Sequence, residues 1–274
     1  MGQNLFLASS YTHYAKLFLD GVAPSLTAAF LEPYEVCSCC MPQGFDPDGQ
    51  LRYDPKILAD EVSELDRLGF TVKMHAVGDR AVQAGLDAIE AARKRNGNHV
   101  LRHEIAHTAF VADQDLVRFQ QLNAVAEVSP KLWYPNAITP GQIKVLGEAR
   151  THRCHPIRSL LDAESSVIYG SDWPAAAPDA NPWPGLAGMI TRQHPTGLYD
   201  GFVGPDQAIT LEQALPLFTT EAARSLNLDH QIGSLEVGKS ADFIVLPESI
   251  FDLDTRSLAQ MEVVSTIFEG QKQR

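Results

Sequence analysis

The sequence predicts an α/β protein built on a parallel sheet, and three stretches carry that prediction. Residues 71-TVKMHAV-77 alternate like a strand, and Gly78-Asp79-Arg80 then opens an amphipathic pattern over 79-DRAVQAGLDAIEAARKR-95. The same order recurs where 99-HVLRHEIAH-107 precedes 113-DQDLVRFQQL-122, and that helix in turn precedes 122-LNAVAEVSP-130. Strand and helix in steady alternation require crossover connections, the arrangement that produces parallel strands.

The elements follow in order. The segment 14-YAKLFLDG-21 is strand-like and carries Lys16. A helix over 55-PKILADEVSELDRLGF-70 starts at Pro55, whose fixed φ suits a first helical turn. Asp79 and Asp113 are the expected N-caps of the next two helices, because a short carboxylate can accept the first free backbone N–H groups. A fifth strand, 165-SSVIYGSD-172, runs into Asp172, which gives five consecutive strands from the one that bears Lys16. The proline-rich stretch 173-WPAAAPDANPWPG-185 reads as a long ordered loop over the site. After it, 210-TLEQALPLFTTEAARSL-226 reads as one amphipathic helix capped by Thr210. Beyond Gly233 the texture changes to short β runs, 240-SADFIVL-246 and 262-EVVSTIFEGQ-271, so the expected division is 1–232 and 233–274, the latter part of a small β domain.

Composition narrows the function. With 274 residues and 45% hydrophobic content the chain can bury a substantial core. A net charge of -12 with no basic run argues against nucleic acid as a partner. No window resembles a membrane span, and the start, MGQNLFLASSYTHY, lacks the basic flank and apolar centre of a signal peptide, so the expected setting is the cytosol. Cys37, Cys39 and Cys40 cluster in 36-VCSCC-40 far from Cys154, which matches neither a disulfide framework nor paired zinc spacing. They read as reduced thiols.

Chemistry concentrates where strands end. His75 closes one strand, His107 the next, Asp172 the last, and Lys16 lies on the first. In parallel α/β proteins ligands collect at the carboxyl ends of the strands, so these four converge as candidates for a metal-hydrolase constellation. Imidazole nitrogens and carboxylate oxygens suit zinc or another borderline divalent ion, which lowers the pKa of a bound water toward neutrality. Asp172 would take a proton from that water and return it to a leaving nitrogen. Lys16 can join only as a neutral amine or as a carbamate, because an ammonium has no lone pair. Taken singly, each residue has a plain reading: a hydrogen-bonded core histidine, a turn aspartate, a solvated lysine. His152, Cys154 and His155 in 151-THRCHPIRSLL-161 form an alternative small ligand cluster. His103, four residues before His107, shares its face if the strand stays regular. His99, His194 and His230 sit in polar loop contexts and read as surface residues. Lys131 and Trp133 in 129-SPKLWYP-135 either contact substrate or pack a loop.

These motifs, in order, resemble the amidohydrolase superfamily, in the branch of N-substituted formamide deformylases. AKLFLDG, MHAVGDRAV, the IAH of HEIAH, YGSDWP, TLEQAL with FTTEAAR, and IGSLEVGKSADFIVL carry the resemblance from Lys16 to about Gly270. It implies a TIM-barrel-like metal-dependent hydrolase fold in which Lys16, as an amine or carbamylated, His75 and His107 are metal ligands on the fourth, fifth and sixth strands. Asp172 would be the acid/base of the eighth strand, also at the metal. It implies hydrolysis of a C–N bond in an amide, imide or formamide-like small molecule. The first three strands and the H-x-H metal pair expected of the family do not precede Lys16, and only the final strands of the small β-sandwich domain follow. The expectation is therefore a sheet closed by self-association or by a complementary N-terminal half, with a noncatalytic assembly or binding protein as the alternative.

Overall fold

The computed structural model describes residues 14–36, 44, 46–97, 100–175 and 179–273. Cys37, Cys39, Cys40 and His99 lie outside them. Five parallel strands form one sheet: β1 (Tyr14–Phe18), β2 (Thr71–Ala76), β3 (Glu104–His107), β4 (Val125–Val128) and β5 (Ser166–Tyr169), adjacent in sequence order. Between them run α1 (Pro55–Arg67), α2 (Asp79–Asn96), α3 (Asp113–Gln121), α4 (Thr139–Thr151) and α5 (Ile157–Asp162). Then come α6 (Trp183–Thr191), α7 (Leu211–Phe218) and α8 (Thr220–Ser225). A second sheet, β6 (Phe243–Val245), β7 (Ser265–Phe268) and β8 (Gln271–Lys272), is antiparallel and is interrupted between its first two strands by α9 (Thr255–Ala259).

Strand alternation divides the five-stranded sheet into two unlike faces. Leu19, Val72, Met74, Ala76, Ile105, Ala126, Val128 and Val167 turn to the helices and join the main core with Leu58, Val62, Leu86 and Ile89. Gly85 on α2 lets that helix approach β3, since a Cβ there would lie 2.6 Å from the Ile105 side chain. The other face carries Tyr14, Lys16 and Phe18 on β1, Lys73 and His75 on β2, Glu104 on β3 and Glu127 on β4, aligned by the register Lys16–Lys73–Glu104. A second apolar cluster of Ala28, Phe30, Tyr34, Phe110, Leu146 and Val203 packs the segments beyond the carboxyl ends of the strands.

Several boundaries differ from the sequence expectation for local reasons. Asp79 and Asp113 are the first residues of α2 and α3, whose caps are Gly78 and Ala112, whereas the carboxylates that do cap helices include Asp54, which accepts from the backbone of Lys56 and Ile57 ahead of α1, and Asp254, which accepts from Arg256 and Ser257 ahead of α9. Thr210 caps α7 through a reciprocal box with Gln213. The run 210–226 is two helices, because Pro216 lies inside α7 and Thr219, at φ -128 and ψ -93, breaks the path before α8. Within the proline-rich stretch, α6 begins at Trp183, with proline tolerated in the first turn. Among the described residues no helix is long and apolar enough to cross a membrane.

Candidate functional site

At the carboxyl end of β2, His75 meets His107 from β3 with ring centroids 4.7 Å apart and planes at 69°. Register makes this possible: His75 pairs with Ala106, and Ala76 with His107. The chain leaves β3 in a strained turn, His107 at φ 72 and Thr108 at φ 43, which re-aims the His107 ring from the face strand alternation would give it. Thr108 Oγ1 braces the turn by donating to the carbonyls of Ile105 at 2.9 Å and Glu127 at 3.2 Å.

Both imidazoles are held neutral. Burial, then the nearby His75, Lys16 and Lys73, push His107 down to about 3. Burial lowers His75 too, with Lys16 adding to it and the Gly21 carbonyl opposing. His75 Nε2 lies 3.0 Å from the Gly21 carbonyl oxygen, and His107 Nδ1 lies 3.2 Å from Ser129 Oγ. The Gly21 carbonyl can only accept, so His75 Nε2 carries the proton and Nδ1 keeps a lone pair for an ion; His107 Nε2 keeps one in the tautomer in which Nδ1 donates to Ser129 Oγ.

Lys16 and Lys73 sit in register on neighbouring strands and have opposite fates. Burial and the Lys73 charge lower the Lys16 amine, against the pull of Glu127, Asp172 and Glu104. Burial also works against the Lys73 ammonium, but Glu127 at 3.5 Å and Glu104 at 3.4 Å outweigh it and hold Lys73 protonated. Asp172 stands beyond β5 with φ 52, and burial followed by Glu127 raises its carboxyl above the usual range while Lys16 and Lys73 oppose. Asp20, fully buried, receives the backbone N–H groups of Ala29, Val77 and Gly78 and lies 3.6 Å from His75 Nε2. Burial pushes it up to about 6.

The structure thus brings His75 and His107 into contact, with the Lys16 charge acting on both, and joins Asp172 through charge to Lys16, Lys73 and Glu127. Among the described residues no three His, Cys, Asp or Glu side chains gather closely enough to hold a metal ion alone. The donor set still fits a divalent ion: two neutral imidazoles and a lysine amine that burial and Lys73 lower, which leaves coordination positions open for water or substrate. Lys73, Glu104, Glu127 and Asp20 were missed in the sequence. Their signal was a charged side chain spaced by two in an otherwise apolar strand, as in Lys73-x-His75.

Other candidates resolve differently. His103 lies below the site, fully buried, accepting from Val72 N–H at 3.1 Å and facing Asp66 at 2.9 Å. The set His152, Cys154 and His155 is no ligand cluster: His152 accepts from Gly204 N–H, Cys154 is a buried thiol pushed up to about 11, and His155 stacks on Trp133 at 5.5 Å. Trp133 is fully buried, with the Arg192 guanidinium 5.1 Å from its ring, so it packs a loop. Lys131 Nζ binds Asp179 Oδ1 and its carbonyl, both at 2.8 Å, and so pins the proline-rich stretch. His194 is half-buried against Tyr134, and His230 is exposed. A cavity of about 540 Å³ opens at the other end of β4 and β5, lined by Asn123, Ser165 and Ser166, away from the histidines.

Residues 10–272 match the amidohydrolase family designated Amidohydro_3. The chain is 31% identical over 262 residues to Protein LONG AFTER FAR-RED 3 of Arabidopsis thaliana, covering 96% of this chain and 43% of that protein. It is 27% identical over 259 residues to the N-substituted formamide deformylase of Arthrobacter pascens, covering 93% and 44%. Its fold is similar to that of an uncharacterized metal-dependent hydrolase from Pyrococcus horikoshii OT3, with 25% identity and a TM-score of 0.68 over 94% of this chain and 46% of that one. The chain therefore spans less than half the length of these relatives. Matched along nearly all of its residues, it belongs to the amidohydrolase family.

Proposed function

We propose that this chain carries part of the active site of a metal-dependent hydrolase that cleaves a C–N bond in an amide, imide or formamide-like small molecule. The observation that carries this reading is the pair of neutral imidazoles, His75 and His107, meeting at 4.7 Å where adjacent parallel strands end. His75, His107 and the amine of Lys16, as such or as its carbamate, would hold a divalent ion of the zinc type, with Asp172 beside it. When bound, that ion supplies the Lewis acidity that brings water to reactivity near neutral pH. Asp172 accepts the proton of the attacking water on a carboxylate oxygen and passes it to the nitrogen that leaves. Its raised pKa suits both halves of that transfer. Lys73, clamped between Glu104 and Glu127, supplies a positive charge on the strand beside that of Lys16.

A noncatalytic assembly role is the second reading, favoured by the missing third His, Cys, Asp or Glu ligand among the described residues. Metal analysis of the purified chain together with its native mass separates the two. One ion per chain, lost in the His75→Ala/His107→Ala variant with the fold intact, is the result expected of the hydrolase. Unchanged stoichiometric binding in that variant sinks the ligand assignment, and a metal-free oligomer supports the assembly role.

A further inference from the structure

Glu127 is 4% exposed and reaches three strands besides its own. On β2 its Oε2 lies 3.5 Å from Lys73 Nζ. On β3 the same oxygen accepts the His107 backbone N–H at 3.4 Å. Beyond β5, a Cβ placed on Gly170 would fall 1.4 Å from Glu127 Oε1, so the carboxylate fills the space that a side chain at 170 would need. Its main-chain carbonyl accepts from Thr108 Oγ1. Residue 127 therefore grips, with side chain and backbone, both residues of the left-handed turn that aims His107. Such backbone persists only where its surroundings over-determine it.

We propose that Glu127 is a positioning residue: by holding the His107 turn and pressing on Gly170 it sets the His107 imidazole and the Asp172 turn relative to each other. The link to metal rests on the hydrolase reading above; the positioning of the ring does not. Were Glu127 only a partner of Lys73, its loss would lower stability and leave the His107 ring where it is.

The test uses the full chain labelled with ¹⁵N-histidine, metal-free for nuclear magnetic resonance and then titrated with cobalt(II). Glu127→Leu should shift or broaden the His107 ring resonances and weaken cobalt binding about 10- to 100-fold, the usual effect of removing an outer-sphere partner. Glu127→Gln, which keeps the shape and an acceptor oxygen, should restore most of both. Unchanged resonances and cobalt affinity in Glu127→Leu would overturn the proposal. If Glu127→Leu does not fold, Gly170→Ala displaces the same carboxylate from the other side and should move the same resonances; their constancy overturns the proposal equally. Failure of the wild-type chain to take up cobalt refutes the hydrolase reading alone, because the ring resonances still decide whether Glu127 positions His107.

Discussion

Asp172 reaches the site through a left-handed backbone at φ 52, a conformation that aspartate tolerates better than most residues. Asparagine tolerates it equally, so Asp172→Asn isolates the proton chemistry from the turn. Its hydrolytic rate should fall by roughly 10²- to 10⁴-fold while cobalt affinity changes far less, as read by steady-state kinetics beside metal titration. A stable, fully active Asn variant would show that the carboxyl serves the turn alone. The meeting of His75 and His107 was legible because each ends an apolar run on successive strands, whereas the roles of Lys16 and Asp172 belong to the proposal above. Lys73, Glu104 and Glu127 were not legible, because a charge within an apolar strand points to core or cleft according to a face that only the register decides. The left-handed turn at His107 had little sequence signal either, because histidine tolerates positive φ but the β-branched Thr108 beside it rarely adopts it.

Asp20 shows what an element terminus contributes. It follows the last residues of β1, and its carboxylate collects N–H groups from the segment at Ala29 and from Val77 and Gly78, where β2 gives way to α2. Two connections, β1 to α1 and β2 to α2, are thereby fixed by one buried acceptor. Asp20→Ala strands three N–H donors, and at about 1–3 kcal/mol for each unsatisfied buried group the chain should lose at least about 3 kcal/mol in a denaturant titration. Asp20→Asn, which keeps one oxygen, should fall between. A loss under about 1 kcal/mol would mean that solvent replaces the carboxylate without penalty. At this scale α1, α2 and α3 were readable from strong apolar periodicity. The helices α4 and α6 were not, since Gly147 interrupts the pattern in one and Pro182 and Pro184 disguise the start of the other as loop.

Across the whole molecule, apolar surface remains uncovered in two places. Phe18 on β1 is 49% exposed, and on the second sheet Phe243, Ile244, Val245 and Phe268 are 38% to 53% exposed. Contiguous apolar faces and unpaired strand edges favour association, so the purified chain should sediment at micromolar concentration as a dimer or larger, or should bind a complementary half. A compact monomer that binds no hydrophobic dye would refute that expectation. The parallel sheet was legible from alternation alone, whereas what covers its edges was not, because no residue pattern names a partner. The strand order has one more consequence. Each of β2 to β5 pairs with the strand made immediately before it. Once β1 is made, each further strand of this sheet meets a partner already synthesised, and the sheet can grow one βα unit at a time. The two histidines come together when β3 docks on β2, before the strand that leads to Asp172 has been translated, so an ion could be captured early by a nascent chain that is not yet able to act on any substrate.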